Sequence, residues 1–213
     1  MDRRKIPLFP LQTVLFPGMW LPLRVFEERY KQLVRDCRER DMTFGIALIR
    51  EGQEVGGPAD PYPIGTLARI EKITPLDDGH MVLQTQGVQR FRVVHLIAGE
   101  QPYLLGEVEM LEEDHPRADL PAALQTQALY EKYLELLRGL GGQISEVSLS
   151  GADSNFLSWL VAATLMIGPA ERQELLQMDE TETRLVREVA MLQEHIRVLE
   201  GRQKWKVLPF SSN

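Results

Sequence analysis

The chain has 213 residues, 31 acidic against 24 basic side chains for a formal charge of −7, and one cysteine. A chain of this length buries roughly 70% of its unfolded surface, so its core requires no disulfide or metal staple, and the negative charge argues against binding nucleic-acid phosphates. No run approaches the roughly 18 apolar residues of a membrane span, and the start MDRRKIPLFP is too proline-rich for a signal peptide, so no membrane and a cytoplasmic setting are expected.

The opening segment, IPLFPLQTVLFPGMWLPLRVFEERY, carries Pro7, Pro10, Pro17 and Pro22. Each fixes its own φ and pushes its predecessor into extended backbone, which predicts short strands broken by turns, with Phe16 to Gly18 as a turn and Leu21, Leu23 and Val25 alternating along a strand. From Glu27 to Arg40 the period changes to helical, with Phe26, Tyr30, Leu33, Val34 and Cys37 on one stripe. Thr43 to Glu113 reads as strands: Phe44 to Ile49, a loop at 51–65 with three prolines, a strand at 66–74 with a bulge between Ile70 and Ile73, an Asp78-Gly79 hairpin, then 81–86, 89–97 and 104–110. Within 89–97 the alternation points Phe91, Val93, His95 and Ile97 inward and Arg90 and Arg92 to water.

After Glu112, Glu113 and Asp114, expected to be solvated, and the His115-Pro116 pair, the pattern turns helical. A helix over 120–140 would carry Leu120, Leu124, Leu129, Tyr133, Leu136, Leu137 and Leu140 and stop at Gly141-Gly142. One over 153–166 is apolar nearly all round and therefore central. A short helix begins at Gly168-Pro169, and a long one opens near Asp179 and Glu182, where Leu185, Val189, Leu192, Ile196 and Leu199 form a seam that either packs within the chain or pairs two copies. The expected fold class is α+β: a β-barrel domain with one helix over 1–115 and a four-helix bundle-like domain over 116–213, ending in a long helix.

The opening run resembles the start of the Lon protease amino-terminal domain, whose LPLFPL, VLFPG and PL-x-V-F-E-x-RY pattern it matches closely. GTLARI (65–70), Asp78-Gly79, GVQRFR (87–92), PYLLGEVEML (102–111) and AERQELLQMDETETRL (170–185) continue the match in order, across almost the whole chain. The resemblance implies a PUA-like barrel and a module that selects unfolded or damaged polypeptides, here a standalone protein without the ATPase and peptidase of full-length Lon. Monomer or homodimer through the helical domain both fit. A separate ATP-dependent protease is a candidate partner.

Chemistry-bearing residues argue against catalysis. There is no Gly-Lys-Ser/Thr element for phosphates and no Gly-x-Ser-x-Gly elbow, and Ser145, Ser148, Ser150, Ser154 and Ser158 have no lysine between Lys132 and Lys204. His80, His95, His115 and His195 stand singly, so neither a metal nor a cofactor is expected. His80 falls beside a turn, His95 in the barrel interior and His195 on the polar side of the last helix, while Cys37 reads as a buried thiol. Met19 and Trp20, large and apolar on a proline-constrained turn, together with Phe16 and with Tyr62 in the long loop, are the candidate polypeptide-binding residues. A scaffold for a defined partner, as the Lon-like domain of cereblon is, forms a second class, and PUA-like RNA binding a third that the acidity disfavours.

Overall fold

The computed structural model describes residues 3–57, 59–114, 120–142 and 153–207, the side chains of 204–207 excepted. His115-Pro116, Ser145, Ser148, Ser150 and the end of the tail lie outside the described residues. In chain order the elements are β1 (Arg3–Leu11), β2 (Trp20–Val25), α1 (Glu28–Arg38), β3 (Thr43–Gly52), β4 (Ala59–Pro61), β5 (Ile64–Pro75), β6 (Met81–Ile97), β7 (Leu104–Met110), α2 (Pro121–Gly139), α3 (Ser154–Thr164), α4 (Pro169–Gln177) and α5 (Thr181–Val207). They form two compact units, Met1–Glu113 with Met166–Gln177, and Asp114–Leu165 with Met178–Asn213. Whereas the sequence reading grouped all four later helices, α4 belongs with the strands, leaving α2, α3 and α5 as the described helices of the second unit.

In the first unit the strand path β1-β7-β6-β5-β3 closes on itself, because β1 also pairs with β3. β1 runs antiparallel to β7 over Arg3 to Leu8 and parallel to β3 over Leu8 to Leu11. Pro7 and Pro10 are tolerated because each half is paired mainly on one side, so a missing donor need not break a ladder. β6 is one strand of 17 residues rather than two; its first half pairs with β2 and its second with β7. Register shifts interrupt β5–β6 between Ile70 and Lys72, in the span read as a bulge, and β6–β7 between Val93 and His95.

That second shift explains why His95 is exposed and not interior: the extra residue changes which side chain the strand turns inward. The core is built on Phe9, Phe44, Leu83 and Leu105 beneath α1, whose Tyr30, Leu33, Val34 and Cys37 are all buried. Phe26, expected on that stripe, precedes the helix and is exposed. Arg90, expected in water, has no exposed surface: its Nε donates to Glu113 Oε1 at 2.8 Å and its Nη1 to the Leu176 carbonyl of α4 at 3.0 Å. Gln173 of α4 donates to the Ile64 carbonyl at 3.0 Å.

In the second unit α3 is buried through Leu157, Trp159, Leu160 and Val161, as its composition requires. Asp153 caps it, accepting from Phe156 N at 2.7 Å. The seam side chains Leu185, Leu192, Ile196 and Leu199 are buried within this single chain, where α5 packs with α2 and α3. α2 turns Ala123, Thr126, Tyr130, Tyr133 and Leu134 inward, while Leu124 of the expected stripe is exposed. His195 is half-buried, its ring edge-on to Tyr133. Glu113 and Asp114 are not simply solvated: Asp114 accepts from Thr181 N at 2.8 Å and from the Thr181 hydroxyl, so it caps the start of α5.

Candidate functional site

The turn before β2 is clamped to β6. Gly18, at φ 78°, donates to the Gly87 carbonyl at 2.9 Å, and Gly87 donates back to the Met19 carbonyl at 2.9 Å. A Cβ on Gly87 would sit 2.3 Å from the Phe16 carbonyl oxygen, so only glycine allows this approach. The clamp buries the Phe16 side chain in the core, leaves Met19 half-buried against it, and holds Trp20 at 59% exposure. Of the four candidate residues, then, Trp20 presents a large apolar surface. Phe16 does not, and half-buried Tyr62 stands apart on the β3 side, its N–H bound to the Leu48 carbonyl at 2.8 Å.

From Trp20 the strand alternates strictly. Leu23 and Val25 turn inward, while Trp20, Pro22 and Arg24 are exposed, and Phe26 beyond the strand end is 42% exposed. β2 has one strand neighbour among the described residues, β6, so its other edge is unpaired. A hollow of about 300 Å³ is lined by Pro22 to Glu27, by Phe9 and Leu11 of β1, by Tyr30 and by Glu54 and Val55. β6 contributes nothing to that lining, which puts the hollow on the unpaired side of β2.

Two charged residues at the start of α1 hold the segment that forms the far wall. Arg29 donates to the Gly57 carbonyl at 3.1 Å and to the Glu54 carbonyl at 3.2 Å, while Glu27 accepts from Gly56 N at 3.2 Å. The Arg29 guanidinium lies 4.6 Å from the centre of the Tyr30 ring, which stacks on Phe9 at 3.8 Å. Burial pushes the Tyr30 hydroxyl up to about 12, so it stays neutral. At the other wall Arg24 donates to Asp78 at 3.0 Å, and the backbone N–H of His80 holds the Asp78 carboxyl below its usual range. Phe26 packs edge-on to His80, with ring centres 6.0 Å apart.

Phe26, Val55 and the Glu27–Arg29 clamp were missed by sequence reasoning. Phe26 fell in phase with the helical stripe, and the clamp joins residues some 25 positions apart, which no local pattern displays.

Two further sets of chemistry-bearing side chains are enclosed. The Cys37 thiol donates to the Thr43 carbonyl at 3.1 Å and is pushed up to about 12 by burial, which leaves it unreactive. In the second unit Arg184 Nε donates to Ser158 Oγ at 2.6 Å, and Ser158 donates to Glu188 Oε1 at 2.8 Å. All three residues have no exposed surface, and burial drives the Glu188 carboxyl well above its ordinary range, so folding favours its protonated form. Among the described residues no group of three or more histidine, cysteine or acidic side chains is placed to hold a metal ion, and no helix is long and apolar enough to cross a membrane.

An open strand edge and a hollow with Phe9, Leu11, Leu23, Val25 and Phe26 in its lining thus lie together on the ring of strands. The sequence matches, over residues 5–194, the family described as the ATP-dependent protease La (LON) substrate-binding domain, and the chain belongs to that family. It is 32% identical over 201 residues to Lon protease 2 of Herpetosiphon aurantiacus, covering 92% of this chain and 24% of that protein. It is 30% identical over 185 residues to the Lon protease of Anaeromyxobacter dehalogenans, covering 84% of this chain and 22% of the relative. The chain thus spans about a quarter of the length of the curated relatives it matches. Among solved structures, the Lon N-terminal domain protein from Xanthomonas campestris is similar with a TM-score of 0.70 and 32% identity, covering 88% of this chain and 98% of that one. The N-terminal domain of the Mycobacterium avium complex Lon protease has the same TM-score at 17% identity, covering 90% and 100%, a likeness of fold alone.

Proposed function

We propose that this chain is a non-catalytic polypeptide-binding module that holds extended apolar segments of unfolded or damaged proteins along β2, alone or for delivery to a separate ATP-dependent protease. The observation that carries the reading is an unpaired strand edge beside an apolar hollow, with Trp20 and Phe26 exposed on the outward side of the same segment. Backbone groups on an open edge add a strand of any sequence, and neighbouring apolar surface selects for greasy side chains, which is the combination a binder of non-native chains needs. Pro22 withholds one donor from that edge and so limits pairing between copies. The strand ring with α1 is read as a PUA-like barrel. The acidic charge disfavours RNA as its ligand, and the buried, unreactive Cys37 fits a reducing cytoplasm.

The test is capture of a chemically denatured test protein by the wild type and by Trp20→Ala and Phe26→Ala. Losing a large aromatic anchor from an interface costs about 2 kcal/mol or more, so each variant should bind at least about tenfold more weakly, while circular dichroism shows both folded. Folded variants that capture as well as wild type would remove β2 from the site. Capture should persist in moderate salt, because apolar burial is not screened.

A further inference from the structure

A second hollow of the first unit, about 580 Å³, is not used by the β2 surface. Tyr30, Tyr103, Pro10, Leu96, Pro102 and Leu104 give it an apolar lining, and its volume falls within the range of ligand-binding cavities. Tyr103 is buried and donates its hydroxyl to Asp36, forming the floor of the hollow, and Leu96 is 42% exposed. Tyr30 lines both hollows, which makes them neighbours.

The charged residues around this hollow are Arg29, Glu51 and Asp60. Arg29 is committed to Glu27, Glu54 and Gly57, and Asp60 is paired with Arg50. Glu51 is exposed and has no ion pair among the described residues. Glu51 also acts on the Arg50 guanidinium that Asp60 pairs with, so two carboxylates share one cation and the mouth of the cavity keeps an excess of negative charge, which complements a ligand with a large apolar body and an adjacent cation. An anionic group there would meet Glu51 with no cation free to offset it.

We propose that this hollow takes one large apolar side chain of a bound polypeptide whose next residue is lysine or arginine, the cation meeting Glu51. The assignment rests on the reading that the chain binds polypeptides, and it adds a site and a sequence preference that β2 alone does not provide.

The experiment is a titration of isotope-labelled full-length protein with capped tetrapeptides, acetyl-Gly-Phe-Lys-Gly-amide against acetyl-Gly-Phe-Glu-Gly-amide and acetyl-Gly-Ala-Lys-Gly-amide, read by amide chemical shifts. The Phe-Lys peptide should shift the amides of Leu96, Gln101 and Leu104. The Phe-Glu peptide should bind about two- to fivefold more weakly, the scale of one exposed charge pair, and Glu51→Gln should abolish that difference while leaving the spectrum folded. The Ala-Lys peptide should not bind measurably, since it has no side chain to bury. Equal binding of Phe-Lys and Phe-Glu, or a difference that survives Glu51→Gln, overturns the proposal. So does tight binding of an uncapped Phe-Glu peptide equal to that of capped Phe-Lys, which would assign the cation to a chain terminus. Shifts confined to Trp20 through Phe26 sink this hollow and leave the β2 reading standing, whereas shifts at Leu96 with no loss of capture in Trp20→Ala and Phe26→Ala do the reverse.

Discussion

Replacing Arg90 by Met tests how α4 is held in the first unit. The guanidinium is fully enclosed, 2.8 Å from the Glu113 carboxylate and 3.0 Å from the Leu176 carbonyl at the end of α4. Met keeps most of the volume but leaves a nearly enclosed carboxylate and a carbonyl without their donor. Removing one partner of a buried ion pair costs about 3–5 kcal/mol. At a urea dependence of about 2 kcal/mol per molar, this lowers the unfolding midpoint by roughly 2 M. The double variant Arg90→Met, Glu113→Leu removes the stranded charge as well and should recover most of the loss, since replacing a buried pair by apolar groups is often neutral. Hydrogen exchange should place the damage at the amides of α4. A single variant within about 0.5 M of wild type, or a double variant less stable than the single, would refute the reasoning.

In the second unit the Glu188 carboxyl is raised by burial, so the folded state favours the protonated form. Its stabilising contribution is therefore complete at acidic pH and fades as pH rises through the folded value. Glu188→Gln should raise Tm at pH 8 and flatten the dependence on pH between 5 and 8; a variant that melts lower at both ends contradicts this. Gly87→Ala forces the Phe16 carbonyl away from β6, so Trp20 fluorescence should shift and stability fall by at least about 1 kcal/mol, as strained backbone positions cost; an unchanged spectrum and melt would show that the clamp is slack. Cys37 should resist iodoacetamide at pH 8 in the native protein and react once urea exposes it, and rapid native alkylation would contradict its enclosure.

Much of this arrangement was readable in the residues. The prolines and alternation of the opening segment place β2 within a residue, and each described helix lies within about two residues of where its period put it, although α5 is capped by the distant Asp114 and not by an Asp179–Glu182 box. Arg90 shows where such reading stops. At Arg90 and Phe91 the alternation holds, with Phe91 in the strand core and Arg90 on the opposite face, but α4 covers that face, so it is not water. Nothing local to GVQRFR signals a helix arriving from 86 positions away. His95 fails for a different reason, because a one-residue bulge reverses inside and outside without changing composition. At the candidate site Trp20 and Met19 stood out as apolar residues on a turn, whereas the hollow beside them depends on Arg29 and Glu27 bending a distant loop into a wall.

Because residues 166–177 leave the second unit's stretch of chain to complete the first, neither unit is a contiguous piece of the polypeptide. A gene truncated after Glu113 would encode the strands without the helix that covers Arg90 and donates Gln173 to Ile64. Recombination cannot exchange either half by a single splice. The two are bound to be inherited, synthesised and degraded together, and a recognition surface can be moved into another protein only by transplanting the interleaved whole.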